Sequence, residues 1–287
     1  MYHELSKILS HGRNIEIGMS EKNHSQTILL LHGFNDTKET YIFIYEELKR
    51  KFNLVSLDFR GHGGSDWNED GIYHPAENLL DLQNVINSLM PENFYILAHS
   101  MGAGIAARYT GLFPEKVKGL ICLEGFSGLQ TNSLEKSRLR NWLDGMAKKT
   151  GKKETIRRKI SKEEAIKKLS YVYSHLSMDK IVLLADGLTK PMIGGDVTWK
   201  NDPRLKVTSP IPFPPELSRE LWRSITSPVL MIYGEKTHLK PDNLEEIKSH
   251  FKNLTYKEIN GSSHNMHHDN PEECMQIIND FFTAILD

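Results

Sequence analysis

Short apolar runs alternate with amphipathic stretches along the first part of the chain. Ile15 to Met19 alternates well enough for an edge strand. Gln26 to Leu31 is a near-continuous apolar run, the kind buried on both faces of a sheet. Thr40 to Lys51 carries Ile44 and Leu48 near helical spacing beside a polar face, which predicts a helix. Asn53 to Leu57 predicts a further strand, and Pro75 to Leu89 an amphipathic helix with Pro75 in its first turn. Asn93 to Ala98 predicts a buried strand, Gly102 to Thr110 a helix of small residues ending near Phe113-Pro114, and Val117 to Leu123 another strand. Strands and helices alternating at such short intervals require a mostly parallel sheet with helices on both faces.

The alternation then stops. From Gly128 to Ser227 no comparable strand is predicted, and helix-prone polar segments fill the space at Leu134 to Lys149, Lys162 to Tyr173 and Met178 to Leu188. Six prolines between Pro191 and Pro215 argue against regular structure there. The strand pattern resumes at Pro228 to Gly234, followed by a helix at Leu244 to Phe251, a strand at Leu254 to Ile259 and a last helix at Pro271 to Leu286. The expected organisation is therefore a core in two blocks, residues 1–127 and 228–287, with a helical cap inserted at 128–227.

Composition narrows the class. A chain of 287 residues can bury a large core, and 36 Lys plus Arg against 37 Asp plus Glu gives no global reason to expect nucleic acid. Cys122 and Cys274 sit in apolar or helical contexts and read as reduced, buried residues rather than a disulfide framework. The run Thr27 to Leu31 is too short for a membrane span, and Met1-Tyr2-His3-Glu4-Leu5 lacks the basic and apolar regions of a signal peptide. The expectation is a soluble cytoplasmic protein without stable membrane insertion. A homodimer is left open.

The chemistry centres on Ala98-His99-Ser100-Met101-Gly102. A strand runs into this sharp turn and a helix leaves it, the context that gives a G-x-S-x-G-like motif its meaning. Residues two before and two after the serine must be small, because strand and helix nearly touch there, and Ala98 and Gly102 satisfy that need. Ser100 is thus the candidate nucleophile, and a serine hydroxyl needs a neighbouring base. The loop Gly261-Ser262-Ser263-His264-Asn265-Met266-His267-His268-Asp269 follows the last strand and offers one. His264 is the first choice and His267 the second. A zinc site on these histidines is the rival reading, disfavoured because no paired ligand motif lies elsewhere in the chain.

Taken with the turn His32-Gly33-Phe34, the run Asp58-Phe59-Arg60-Gly61-His62-Gly63-Gly64-Ser65 and the late Gly261-x-x-His264, these segments resemble the α/β-hydrolase superfamily in kind and order. The stretch Thr198 to Leu205 is similar to the serine hydrolase-like branch. The resemblance implies an α/β-hydrolase fold and backbone oxyanion donors at Phe34 and Met101. It usually places an aspartate just past the strand at Val229 to Tyr233, but that loop reads Gly234-Glu235-Lys236-Thr237, with Thr237 near the acid position. Some members carry the acid one strand earlier, where Glu124 directly follows an apolar run and is costly to bury unpartnered. Glu124 is therefore the expected acid, ahead of Glu235 and Asp242. Haloalkane dehalogenases and epoxide hydrolases of this fold use aspartate in place of Ser100, so neither chemistry is expected.

The remaining candidates have plainer readings. Asp58, Arg60 and His62 are expected to brace adjacent loops, and His99 to pack or hydrogen-bond facing away from Ser100. Lys148 to Lys168 carries ten Lys or Arg against three Glu, a solvated face or an attraction for an anionic acyl substrate. Trp142 and Trp199, with Tyr171 and Tyr173, are candidates for an apolar substrate-binding wall. The expected function is cleavage of a carboxylic ester or related small acyl compound through an acyl-enzyme, with no metal and no organic cofactor. Thioester, lactone or carbon–carbon bond hydrolysis by the same residues is an alternative, and so is a ligand-binding protein with little turnover.

Overall fold

In a computed structural model of the chain, residues 1–126, 135–149, 158–207 and 209–286 are described. The elements follow the order β1 (Glu4–Ser10), β2 (Arg13–Met19), β3 (Thr27–Leu31), α1 (Tyr45–Lys49), β4 (Asn53–Leu57), α2 (Pro75–Leu89), β5 (Phe94–His99), α3 (Met101–Leu112) and β6 (Val117–Leu123). Then come α4 (Glu135–Lys149), α5 (Lys162–Val172), α6 (Met178–Leu188), a hairpin of β7 (Thr189–Pro191) and β8 (Val197–Trp199), and α7 (Pro215–Ser224). The chain closes with β9 (Val229–Gly234), α8 (Leu244–Ser249), β10 (Leu254–Ile259), α9 (Met266–Asp269) and α10 (Pro271–Leu286).

Eight strands form one sheet in the order β1-β2-β4-β3-β5-β6-β9-β10. β1 pairs antiparallel with β2, and β2 antiparallel with β4; every later neighbour is parallel. The central strands are buried on both faces because successive side chains point opposite ways. Leu29, Leu31, Ile96 and Ala98 join the cluster under α2 and α3, while Ile28, Leu30, Tyr95 and Leu97 join the one under α1 and α10. Each such aliphatic side chain contributes roughly 1.5–3 kcal/mol on burial. Cys122 and Cys274 are both free and buried.

Several expectations needed correction. The predicted helix from Thr40 splits into a 3-10 turn at Lys38–Tyr41 and the short α1. β1 extends the sheet beyond the strand expected to be its edge. The proline-rich stretch is not wholly irregular, since it holds the β7–β8 hairpin and α7, whose first residue is Pro215. The expected junction at Gly128 and the first residue of the Leu134 helix lie outside the described residues, as do positions 150–157 of the basic run. Among the described residues, no helix is long and apolar enough to cross a membrane.

Candidate active site

The ends of β5, β6, β9 and β10 converge at the carboxyl edge of the parallel sheet, where α/β folds carry their sites. Ser100 sits between β5 and α3 with φ 52° and ψ −118°, a region that L-residues avoid. The turn is as tight as its small residues suggest. A Cβ on Gly102 would lie 2.6 Å from the His32 carbonyl oxygen and 2.7 Å from that of Leu31. Gly125, at φ +112°, lets the following turn approach the Ser100 carbonyl, which a Cβ would meet at 2.3 Å. The Ser100 amide donates to the Leu123 carbonyl at 3.0 Å, tying the elbow to the end of β6.

Three side chains form a hydrogen-bonded chain. His264 Nε2 lies 2.9 Å from Ser100 Oγ, and His264 Nδ1 lies 2.5 Å from Glu124 Oε2. A carboxylate only accepts, so Nδ1 carries the proton, and Nε2 is left to accept from the serine hydroxyl. Glu124 is 1% exposed and its carboxylate is fully engaged. Oε1 accepts from the Gly234 amide at 3.2 Å, and Oε2 accepts from Thr237 Oγ1 at 2.9 Å. Glu235 instead accepts from the Gly261 amide at 2.8 Å, and Asp242 is exposed. Thr237 was legible as an anomaly at the acid position; its role as a donor to Glu124 was not.

The His32-Gly33-Phe34 turn is held from beneath. His32 Nδ1 donates to the Gly33 carbonyl at 2.7 Å, and its Nε2 accepts from the Phe59 amide at 3.0 Å. In a trans peptide the N–H points opposite the C=O, so the Phe34 amide is turned away from His32. Neither the Phe34 nor the Met101 amide has an acceptor among the described residues. Burial pushes the His32 imidazole down to about 4, so it stays neutral at physiological pH. Asp36, two residues past Phe34, donates its amide to the Gly33 carbonyl at 3.4 Å; its carboxylate accepts from the Thr37 amide at 2.8 Å, and burial pushes that carboxyl up to about 6.

The other polar candidates are braces. Asp58 accepts from the Lys38 amide at 2.6 Å, from Lys38 Nζ at 2.9 Å and from the Gly64 amide at 2.8 Å. Arg60 grips Asp81 at 2.6 and 2.7 Å and also pairs with Glu77. His62 Nε2 accepts from the Asn35 amide at 3.3 Å. His99 Nε2 donates to the His264 carbonyl at 3.1 Å, which steadies the backbone that carries the candidate base. Burial, reinforced by the adjacent His264, drives His99 well below the usual histidine range. His267 and His268 are buried and share Thr40 Oγ1 at 3.0 Å each.

A cavity of about 510 Å³ opens over Ser100 and His264. Trp199 and Tyr173 line it together with Leu169, and so does Trp67, which the sequence did not single out. Trp142 does not line it. It lies on α4, whose Gly145 faces Val207 and whose Arg138 reaches the Ser209 carbonyl, so that helix sits beside those two residues instead. Tyr171 is 74% exposed.

Comparison with known proteins agrees with this architecture. A family model described as alpha/beta hydrolase fold matches residues 26–161. The chain is 26% identical to a serine hydrolase-like protein of Danio rerio over 274 residues, covering 90% of this chain and 82% of that protein. It is 23% identical over 286 residues to 2-(acetamidomethylene)succinate hydrolase of Mesorhizobium japonicum, covering 98% of this chain and 96% of the relative. Among solved structures, a hypothetical protein of Pseudomonas aeruginosa superposes with a TM-score of 0.83 at 23% identity, covering 99% of this chain and 100% of the other.

Proposed function

The chain is an α/β-hydrolase-fold hydrolase similar to serine hydrolase-like proteins, and from this premise we propose that it cleaves a carboxylic ester or related acyl compound through a Ser100 acyl-enzyme. The observation that carries the reading is the bond chain Ser100–His264–Glu124, at 2.9 and 2.5 Å. Ser100 Oγ attacks the substrate carbonyl carbon as His264 Nε2 takes its proton. The carbonyl oxygen becomes an oxyanion, and the Phe34 and Met101 amides stabilise it. Glu124 keeps the imidazole in the productive tautomer and stabilises its positive form. The intermediate then collapses: the bond to the leaving oxygen breaks, and His264 returns the proton to that oxygen. Water, deprotonated by the same base, attacks the acyl-enzyme and releases the acid and Ser100.

The helical insertion, 128–227, is read as a cap over the site. What supports this is the origin of the cavity wall, since Leu169, Tyr173 and Trp199 all come from it. The test is intact-mass analysis after treatment with a fluorophosphonate, beside turnover of a small p-nitrophenyl ester. One adduct on the native protein, absent from folded Ser100→Ala, is expected, as is near-complete loss of turnover in Ser100→Ala and His264→Ala. No adduct on the folded native protein would overturn the reading in favour of a ligand-binding protein.

A further inference from the structure

A second cavity, of about 340 Å³, lies on the other side of the oxyanion turn. Among the described residues, Phe34 is the one that lines both cavities, so the two chambers abut where the substrate carbonyl would sit. Met101, Gly104 and Arg108 bring the first turns of α3 into its wall. Its charge is unbalanced. Arg108 and Arg138 line it, and among the described residues no aspartate or glutamate does.

Among the described residues, Arg108 is bound only by neutral groups. Its Nε donates to Ser218 Oγ and its Nη1 to the Gly104 carbonyl, each at 3.1 Å, and its guanidinium lies 4.4 Å from the Phe213 ring centre. Nη2 has no acceptor among the described residues. Burial pushes this guanidinium down to about 10. Arg138 likewise donates to a neutral group, the Ser209 carbonyl, at 3.0 Å. A cation withdrawn from water without a counter-charge is costly, and an arriving carboxylate or phosphate would supply that charge through charge-assisted hydrogen bonds.

The Ser100 cavity is different. Lys168 and Arg158 on its wall face Glu164 at 2.8 and 3.8 Å, and Asp36 and Asp202 also line it. Two of its cations already face a carboxylate, leaving Lys206 as the third, whereas among the described residues no carboxylate faces either cation of the second cavity.

We infer that the second cavity is an anion subsite, with Arg108 as anchor and Arg138 as second cation, and that the substrate is an acyl compound bearing a carboxylate or phosphate beside the scissile bond. The position of that bond rests on the serine hydrolase reading; binding of the anion does not. The test therefore uses full-length Ser100→Ala in titration calorimetry. Its probes are monomethyl succinate, 1-acetylglycerol 3-phosphate and the neutral dimethyl succinate. At least one anionic probe is expected to bind about tenfold or more tighter than the neutral one, the worth of one hydrogen bond to a charged group. The tighter of the two anions identifies the group. Adding Arg108→Met should abolish the advantage, and Arg108→Lys should restore part of it. Arg138→Met, which leaves the α3 packing untouched, should weaken it if Arg108→Met fails to fold. Equal binding of charged and neutral probes overturns the inference. So does an advantage that survives in folded arginine variants but is lost in Lys206→Met, on the wall of the Ser100 cavity. Fluorophosphonate labelling of the native protein separately reports the serine, so failure of one reading is distinguishable from failure of the other.

Discussion

At position 237 a threonine stands near the point where the superfamily usually carries its acid, and its hydroxyl donates to Glu124 at the end of the neighbouring strand β6. The carboxylate of Glu124 thus has three donors, from His264, Gly234 and Thr237, none of which carries a full charge when the imidazole is neutral. Removing the negative charge while keeping the shape should remove support for the imidazolium. Glu124→Gln is expected to lower kcat by roughly a hundredfold or more, with KM little changed. Thr237→Val should cost several-fold and Glu235→Gln almost nothing, in steady-state assays on one ester. The opposite ranking of the two glutamates would move the acid to the later loop. That Ser100 and His264 would meet was legible from motif and chain order. Glu124 was legible from cost, as a charge after a buried run. Thr237 was not, because a single hydroxyl has no sequence signature until the carboxylate it meets is known.

Among the elements, β3, β4, β6 and α2 follow directly from apolar runs and periodicity, and their bounds nearly coincide with the expected ones. β1 was missed for a physical reason. Its Leu5 and Leu9 are 61% and 70% exposed, and of its residues only Ser10 is buried, so no apolar stripe marks it. Pairing with β2 forms it instead. α7 was hidden by the prolines before it, although Pro215 opens the helix as proline does at a first turn. This helix presses its backbone on α3. A Cβ on Gly111 would stand 2.2 Å from the Leu221 carbonyl oxygen. Gly111→Ala must therefore push α7 outward, and overpacking of this kind costs typically about 1–3 kcal/mol. The expected lowering of Tm is measurable by calorimetry. An unchanged Tm would mean that the two helices are free to separate.

The whole molecule carries an unusual number of buried imidazoles. Burial holds His32 and His268 near 4 and His62, with His32 beside it, near 3; His99 and His267 also lie well below the usual range. A histidine buried neutral takes up its proton more readily in the unfolded chain. Its contribution is complete above the unfolded value of about 6.5 and is lost as pH falls from there toward the folded value. Asp36 acts in the opposite sense. Its carboxyl is raised to about 6, so it opposes folding increasingly as pH rises from the ordinary carboxylate range through 6. The histidines outnumber it, and Tm is expected to fall between pH 7 and pH 5. Asp36→Asn, which keeps an acceptor for Thr37, should raise Tm more at pH 7.5 than at pH 4.5. Calorimetry across that range checks both. A Tm that does not fall toward pH 5 contradicts the first, and an equal gain at both pH values the second. Of this burial only the packing of His99 was legible in the sequence; His32, Asp36, His62, His267 and His268 lie in segments that read as turns and loops.

Ser100 and Glu124 leave neighbouring strands of the first core block, whereas His264 arrives from beyond β10, 164 and 140 positions later. During synthesis the proposed nucleophile and acid therefore emerge early, bound into adjacent strand ends, with no base between them. On the reading proposed above, a nascent chain stays chemically silent until the loop after β10 has been translated and the β9–β10 edge has docked. Hydrolytic activity would then serve as a clock for completed folding, and appearance of a reactive serine would time the closing of the last strands.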